Sequence, residues 1–241
     1  MGLDHDGLSL PRTDVALAAL RFAESIVNTA VFHHSVRTYL YGRRLGEQQG
    51  LRPGHDYDDQ LLFLGSVLHD AGLSPQGNGD QRFEVDGADL AAEFLTQKGL
   101  PAAEVEVVWD AIALHTSDGI ATRKRPEIAL VSAGSRFDIT GGPDPVPAAY
   151  VARVHAALPR LHVAPVLRDA VVAQTLANPG KIPLFSLPGE LHRERTGSAW
   201  PTWEQLTRAA TDWDDYDGYR SQASAAASTI DAKPGVGSVR T

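Results

Sequence analysis

Apolar residues recur three and four positions apart along most of the chain, and no stretch shows the strict alternation of a half-buried strand. The spacing predicts a first helix over 13–29, with Thr13 placed to cap it, and a second over 32–49. A third runs over 57–71 and carries the most apolar segment, "LLFLGSVL". The glycine-rich and polar string "GLSPQGNGDQRF" then predicts a loop. Further helices are predicted over 84–98, 101–116 and 126–139, with Gly99 and Pro101 as a stop and restart and Pro126 in a favourable first-turn position. Two more follow over 147–158 and 165–178. The Pro- and Gly-rich stretch 179–201 reads as an irregular cover, and the small, polar residues 221–241 as a flexible tail. The expectation is an all-α chain: an arm over 1–12, one helical-bundle domain over 13–220, and the tail.

Composition narrows the class. A formal charge of −8 with no long basic run argues against a nucleic-acid binder, and "TRKRPE" at 122–127 reads as a solvated connection. With no cysteine, disulfides and thiolate metal sites are excluded. Nothing at the N-terminus resembles a secretory signal and no run is long enough to span a bilayer, so a cytoplasmic protein with a small-molecule substrate is expected, as a monomer or homo-oligomer.

The chemistry is concentrated on apolar helices. His34 lies in "AVFHHSVRTYLYG", His69 and Asp70 close the third helix, and Asp138 sits near the end of the sixth, where the helix dipole disfavours a carboxylate. An unpaired charge on such a face is costly. Two imidazoles and two carboxylates make a hard-to-borderline ligand set that leaves positions open for water. Of the neighbours His33 and His34, about 100° apart on a helix, only one is expected to face the metal. Arg37 and Tyr41 share the face of His34, and His115 ends the fifth helix. "DHDG" at 4–7 lacks the rest of a calcium loop, and "GNGDQR" follows no strand, so neither is a binding motif.

The ordered set of His34, the His69–Asp70 pair and the distant Asp138, each on a helix, resembles the HD-domain superfamily of metal-dependent hydrolases. "HSVRTYLYG" at 34–42, "LHDAGL" at 68–73, "RFEVDGAD" at 82–89 and "AIALHTS" at 111–117 are similar to the cyanamide hydratase-like branch. That resemblance implies His34, His69, Asp70 and Asp138 as ligands of one divalent ion, zinc first, with iron, manganese or nickel as alternatives. It implies water addition to a small nitrile such as cyanamide, giving urea. Asp70 would orient or deprotonate the water, His115 would act as proton donor, and Arg37, Tyr41 and Glu84 would contact substrate. No glutamate closely follows the His69–Asp70 pair, as it does in many HD phosphohydrolases, and only His115 lies between the pair and Asp138, which favours a single metal. Phosphohydrolase activity on a nucleotide or phosphorylated metabolite, and a non-catalytic metal-stabilised binding protein, remain the alternatives.

Overall fold

The computed structural model describes residues 8–142 and 146–208. The segments 1–7 and 221–241, with the expected tail and most of the expected arm, lie outside the described residues. The helices are α1 (Asp14–Ile26), α2 (Thr29–Gln48), α3 (Asp59–Leu68), α4 (Phe83–Gln97), α5 (Ala102–Leu114), α6 (Pro126–Thr140), α7 (Ala148–Ala157), α8 (Val163–Ala177), α9 (Leu187–Thr196) and α10 (Trp203–Thr207). No strand occurs among the described residues, so the protein is all-α as expected. The chain divides into two compact units at Ser198 and Ala199, inside the stretch that the pattern read as one domain. The second unit contains α10, started by a capping box between Thr202 and Gln205. Everything below concerns the first unit.

One helix organises it. α2 is buried on nearly every side from Ala30 to Gly42, and it lies antiparallel against α6. Two glycines let the backbones touch. A Cβ on Gly134 would sit 2.2 Å from the Thr38 carbonyl oxygen, and one on Gly42 would sit 2.7 Å from that of Leu130. The contacts 42–130 and 38–134 are one helical turn apart on both helices, so the ridges four residues apart interlock. The next rung of the ladder brings 34 beside 138, where His34 Nδ1 and Asp138 Oδ2 are 2.7 Å apart. The pairing of these two distant polar residues is therefore a consequence of glycine-permitted packing.

α3 is aimed by a similar device at its start. Asp58 caps it through its side chain, and the Asp58 N–H donates to Glu127 Oε1 at 2.8 Å. Burial raises the Glu127 carboxyl, but the Arg125 fork and the Asp58 N–H outweigh this and hold it below its ordinary value of 4.5. With the folded value lowered, this stabilisation is complete above about 4.5 and is lost as pH falls through the folded value. Glu127→Gln is therefore expected to flatten the acid limb of a stability-versus-pH curve. An unchanged slope would remove Glu127 from the account.

One predicted element differs. The stretch read as irregular cover contains α9: Ser186 caps it by accepting from the Gly189 N–H, Pro188 lies in its first turn, and Gly197 ends it at φ 71°. Proline and glycine here mark a helix start and stop.

Candidate metal centre

Three histidines present the same face to one point, two of them for local reasons. His69 closes α3 and His115 closes α5, both in helical conformation, and each ring reaches back one turn. His69 Nδ1 lies 2.7 Å from the Ser66 carbonyl oxygen, and His115 Nδ1 lies 2.6 Å from that of Ile112. A carbonyl only accepts, so Nδ1 carries the proton in both rings and Nε2 keeps a lone pair. Asp138 imposes the same tautomer on His34 through Nδ1. Its neighbour His33 instead turns Nδ1 to the Pro159 carbonyl oxygen, which settles which of the pair faces the centre.

The free nitrogens converge on Asp70. His34 Nε2 and His69 Nε2 are 3.2 Å apart, and Asp70 Oδ2 is 3.2 Å from His69 Nε2 and 3.7 Å from His34 Nε2. His115 Nε2 stands 3.9 Å from Asp70 Oδ1. Asp70 Oδ2 is buried and makes no hydrogen bond. Two imidazole nitrogens facing each other beside a buried carboxylate oxygen are a donor set that suits a cation between them. A tetrahedral ion with metal–nitrogen bonds of about 2.0–2.1 Å holds its donors about 3.3 Å apart, and His34, His69 and Asp70 match that spacing.

For His34 and His115 electrostatics gives the same protonation state. Burial lowers His34 and lowers His115, to about 4, so both are neutral. Burial also lowers His69, but the adjacent Asp70 outweighs it and the net shift is upward. Against burial, the neighbouring histidines, His69 foremost, hold the Asp70 carboxyl below the usual carboxylate range. An ionised carboxylate beside neutral imidazoles is the state a divalent cation requires, and binding such a cation would displace any proton held on His69.

Asp138 lies elsewhere than expected. It stands behind His34, on the Nδ1 side, outside the group of donor atoms formed by His34, His69 and Asp70. Its two oxygens accept a fork from Arg37, Nε to Oδ1 at 2.8 Å and a terminal nitrogen to Oδ2 at 2.7 Å, and Arg160 donates to Oδ1 at 3.3 Å. With both oxygens engaged, Asp138 orients His34, as carboxylates behind metal-binding histidines do.

The expected substrate contacts are placed differently as well. Arg37 is fully buried, and its remaining terminal nitrogen donates to the Leu158 and Pro159 carbonyls. The Tyr41 hydroxyl pairs with His155 Nε2 at 3.1 Å. Glu84 is buried under Arg82 and accepts from the Thr116 hydroxyl at 2.5 Å. None of the three lines the cavity described next, because each is satisfied by an internal partner. Glu84 reaches that cavity only through Thr116.

A cavity of about 340 Å³ opens from the centre, with His34, Asp70 and His115 at its polar end. Leu73 and Phe83 form one wall, and Leu167, Val171, Leu187 and Leu191 of α8 and α9 form the other. The second wall was missed from sequence. Its one signal is the apolar spacing of 165–178, which carries no chemistry and does not say what the helix faces.

Fold and site together define an all-helical protein with a buried histidine–aspartate metal centre. A family model described as HD domain matches residues 31–153, just over half of the 241-residue chain, and the chain belongs to that family of metal-dependent hydrolases. The match contains His34, His69, Asp70, His115 and Asp138, and it ends before α8 and α9. No curated protein matches the chain. No helix among the described residues is long and apolar enough to cross a membrane.

Proposed function

We propose that this protein is a metal-dependent hydratase that adds water to an uncharged, nitrile-like carbon, with cyanamide as the simplest substrate and urea as its product. The observation that carries this reading is the contrast within one cavity. Its polar end is the histidine–aspartate cluster, and its walls are mostly apolar. The two arginines that border it are exposed, and each stands beside a surface carboxylate, Arg136 by Asp118 at 3.4 Å and Arg168 by Asp169 at 2.9 Å, the latter shared with Arg195. A phosphate ester calls for free cationic groups at this position.

His34, His69 and Asp70 would hold the ion, and zinc suits two imidazoles and one carboxylate with a position left open. When bound, such an ion acts as a Lewis acid that makes water nucleophilic near neutral pH. The chain's own residues then handle protons and position. As the water oxygen bonds to the nitrile carbon, His115 Nε2, which holds a lone pair, accepts a water proton. The same imidazole then returns it to the nitrile nitrogen, and the resulting isourea tautomerises to urea with atoms balanced. Neutral His115 thus starts as an acceptor, where the sequence reading made it a donor. Asp70 directs the water through Oδ1, and the Arg37–Asp138 pair fixes the His34 ring.

The test is a pair of assays on metal-loaded protein: urea from cyanamide, and inorganic phosphate from a nucleotide panel. Urea formation that is lost in His69→Ala is expected. Phosphate release without urea would replace this reading with the phosphohydrolase alternative. A folded, metal-loaded protein active in neither assay would favour the binding-protein alternative.

A further inference from the structure

The shape of the cavity says more about substrate than the metal cluster does. Cyanamide has three heavy atoms, and a single water takes about 30 Å³ of liquid volume. A cavity of about 340 Å³ would therefore leave most of its apolar wall against solvent with cyanamide bound. Leu187 lines this cavity and is still 42% exposed, an apolar surface that a ligand would cover. Pockets of this size and lining take organic ligands that bury most of their surface.

The second wall is also firmly mounted. Gln174 on α8 donates to the Gly72 carbonyl oxygen at 2.8 Å, two residues past Asp70. Lys181, buried just beyond α8, pairs with Asp86 and donates to the Gly79 carbonyl oxygen at 3.0 Å. Asn178 donates to Asp80 at 3.1 Å, and His192 on α9 pairs with Thr175 on α8 at 3.1 Å. These bonds fix α8 and α9 against the loop that follows the metal ligands. Both helices lie outside the segment matched by the family model, so this wall is a feature of the chain beyond its shared metal-binding part.

Resting on the hydratase reading, we propose that the natural substrate is an uncharged nitrile-like compound bearing a hydrocarbon body, and that Leu167, Val171 and Leu191 set the size of that body. The reactive carbon sits at the histidine–aspartate end, and the body lies between the two apolar walls.

The experiment is calorimetric titration of the metal-loaded His115→Gln variant, so that turnover adds little to the heat, with cyanamide, methylcyanamide, butylcyanamide, phenylcyanamide and adenosine monophosphate, together with an assay of the wild type for urea derivatives from the same cyanamides. Affinity is expected to rise about fourfold per buried methylene, and to be far higher for phenylcyanamide than for cyanamide. Leu191→Trp is expected to cost phenylcyanamide at least tenfold more affinity than cyanamide. Leu167→Ala enlarges the same space, so it is expected to move the preference toward the longer alkyl chain, and it keeps the test decisive if the tryptophan variant does not fold. A flat series, or equal losses for all ligands in both variants, would overturn the proposal. If affinity rises along the series and no urea derivative forms, the cavity assignment stands and the hydratase reading fails. Tight binding of adenosine monophosphate with a flat series would overturn both.

Discussion

Arg37→Met is expected to destabilise the protein by about 3–5 kcal/mol, because it removes one partner of a buried ion pair. Arg37 and Asp138 are both buried, and the guanidinium supplies two of the bonds that satisfy the carboxylate. Burial alone raises the Asp138 carboxyl, and it stays below the usual carboxylate range because Arg37 first, and His34 next, outweigh that cost. Without Arg37 the carboxylate keeps only His34 and the longer Arg160 contact, and the Leu158 carbonyl loses its donor. A second effect is expected at the metal. Loss of a residue that orients a ligand typically weakens metal affinity 10–100-fold, and Arg37 fixes Asp138, which fixes His34. Denaturant unfolding of the metal-free protein and a competitive metal titration read the two effects separately. A stability change below about 1 kcal/mol would show that the pair does not hold this end of the bundle.

His115→Gln is expected to lower kcat by about 10²–10⁴-fold, the range for losing a positioned proton-transfer group. Metal content should stay at the wild-type level, since His115 Nε2 is 3.9 Å from Asp70 Oδ1 and stands outside the close donor group. The pH profile should change as well as the rate, which a merely structural role would not produce. Loss of metal in this variant would instead make His115 a ligand, and the proton-transfer role would fall.

How much of this was legible in the sequence depends on what each residue needs from its surroundings. The helices were legible because an apolar stripe of helical period has few other ways to be buried. His34, His69 and Asp70 were legible because polar groups on apolar helix faces require a partner. The place of Asp138 was half legible. Its burial beside His34 was expected, but its exclusion from the donor group depends on the Arg37 fork, and a side-chain pairing across 101 residues leaves no local trace. Arg37, Tyr41 and Glu84 read as substrate contacts from the sequence because they share faces or strings with site residues. Each is satisfied within the fold by Asp138, His155 and Arg82, respectively. The α8–α9 wall was illegible for another reason. α9 is mostly polar and charged, and its apolar Leu187 and Leu191 acquire meaning only when α8 and the loop after Asp70 are brought alongside.

The central claim is that His34, His69 and Asp70 bind one divalent ion. Elemental analysis of protein purified without chelator or added metal tests it most directly, comparing wild type with a folded His69→Ala variant. The account predicts about one divalent ion per chain in the wild type and a near-complete loss in the variant. Equal metal content in the two proteins, or a folded wild type that takes up no divalent ion even on reconstitution, would contradict it.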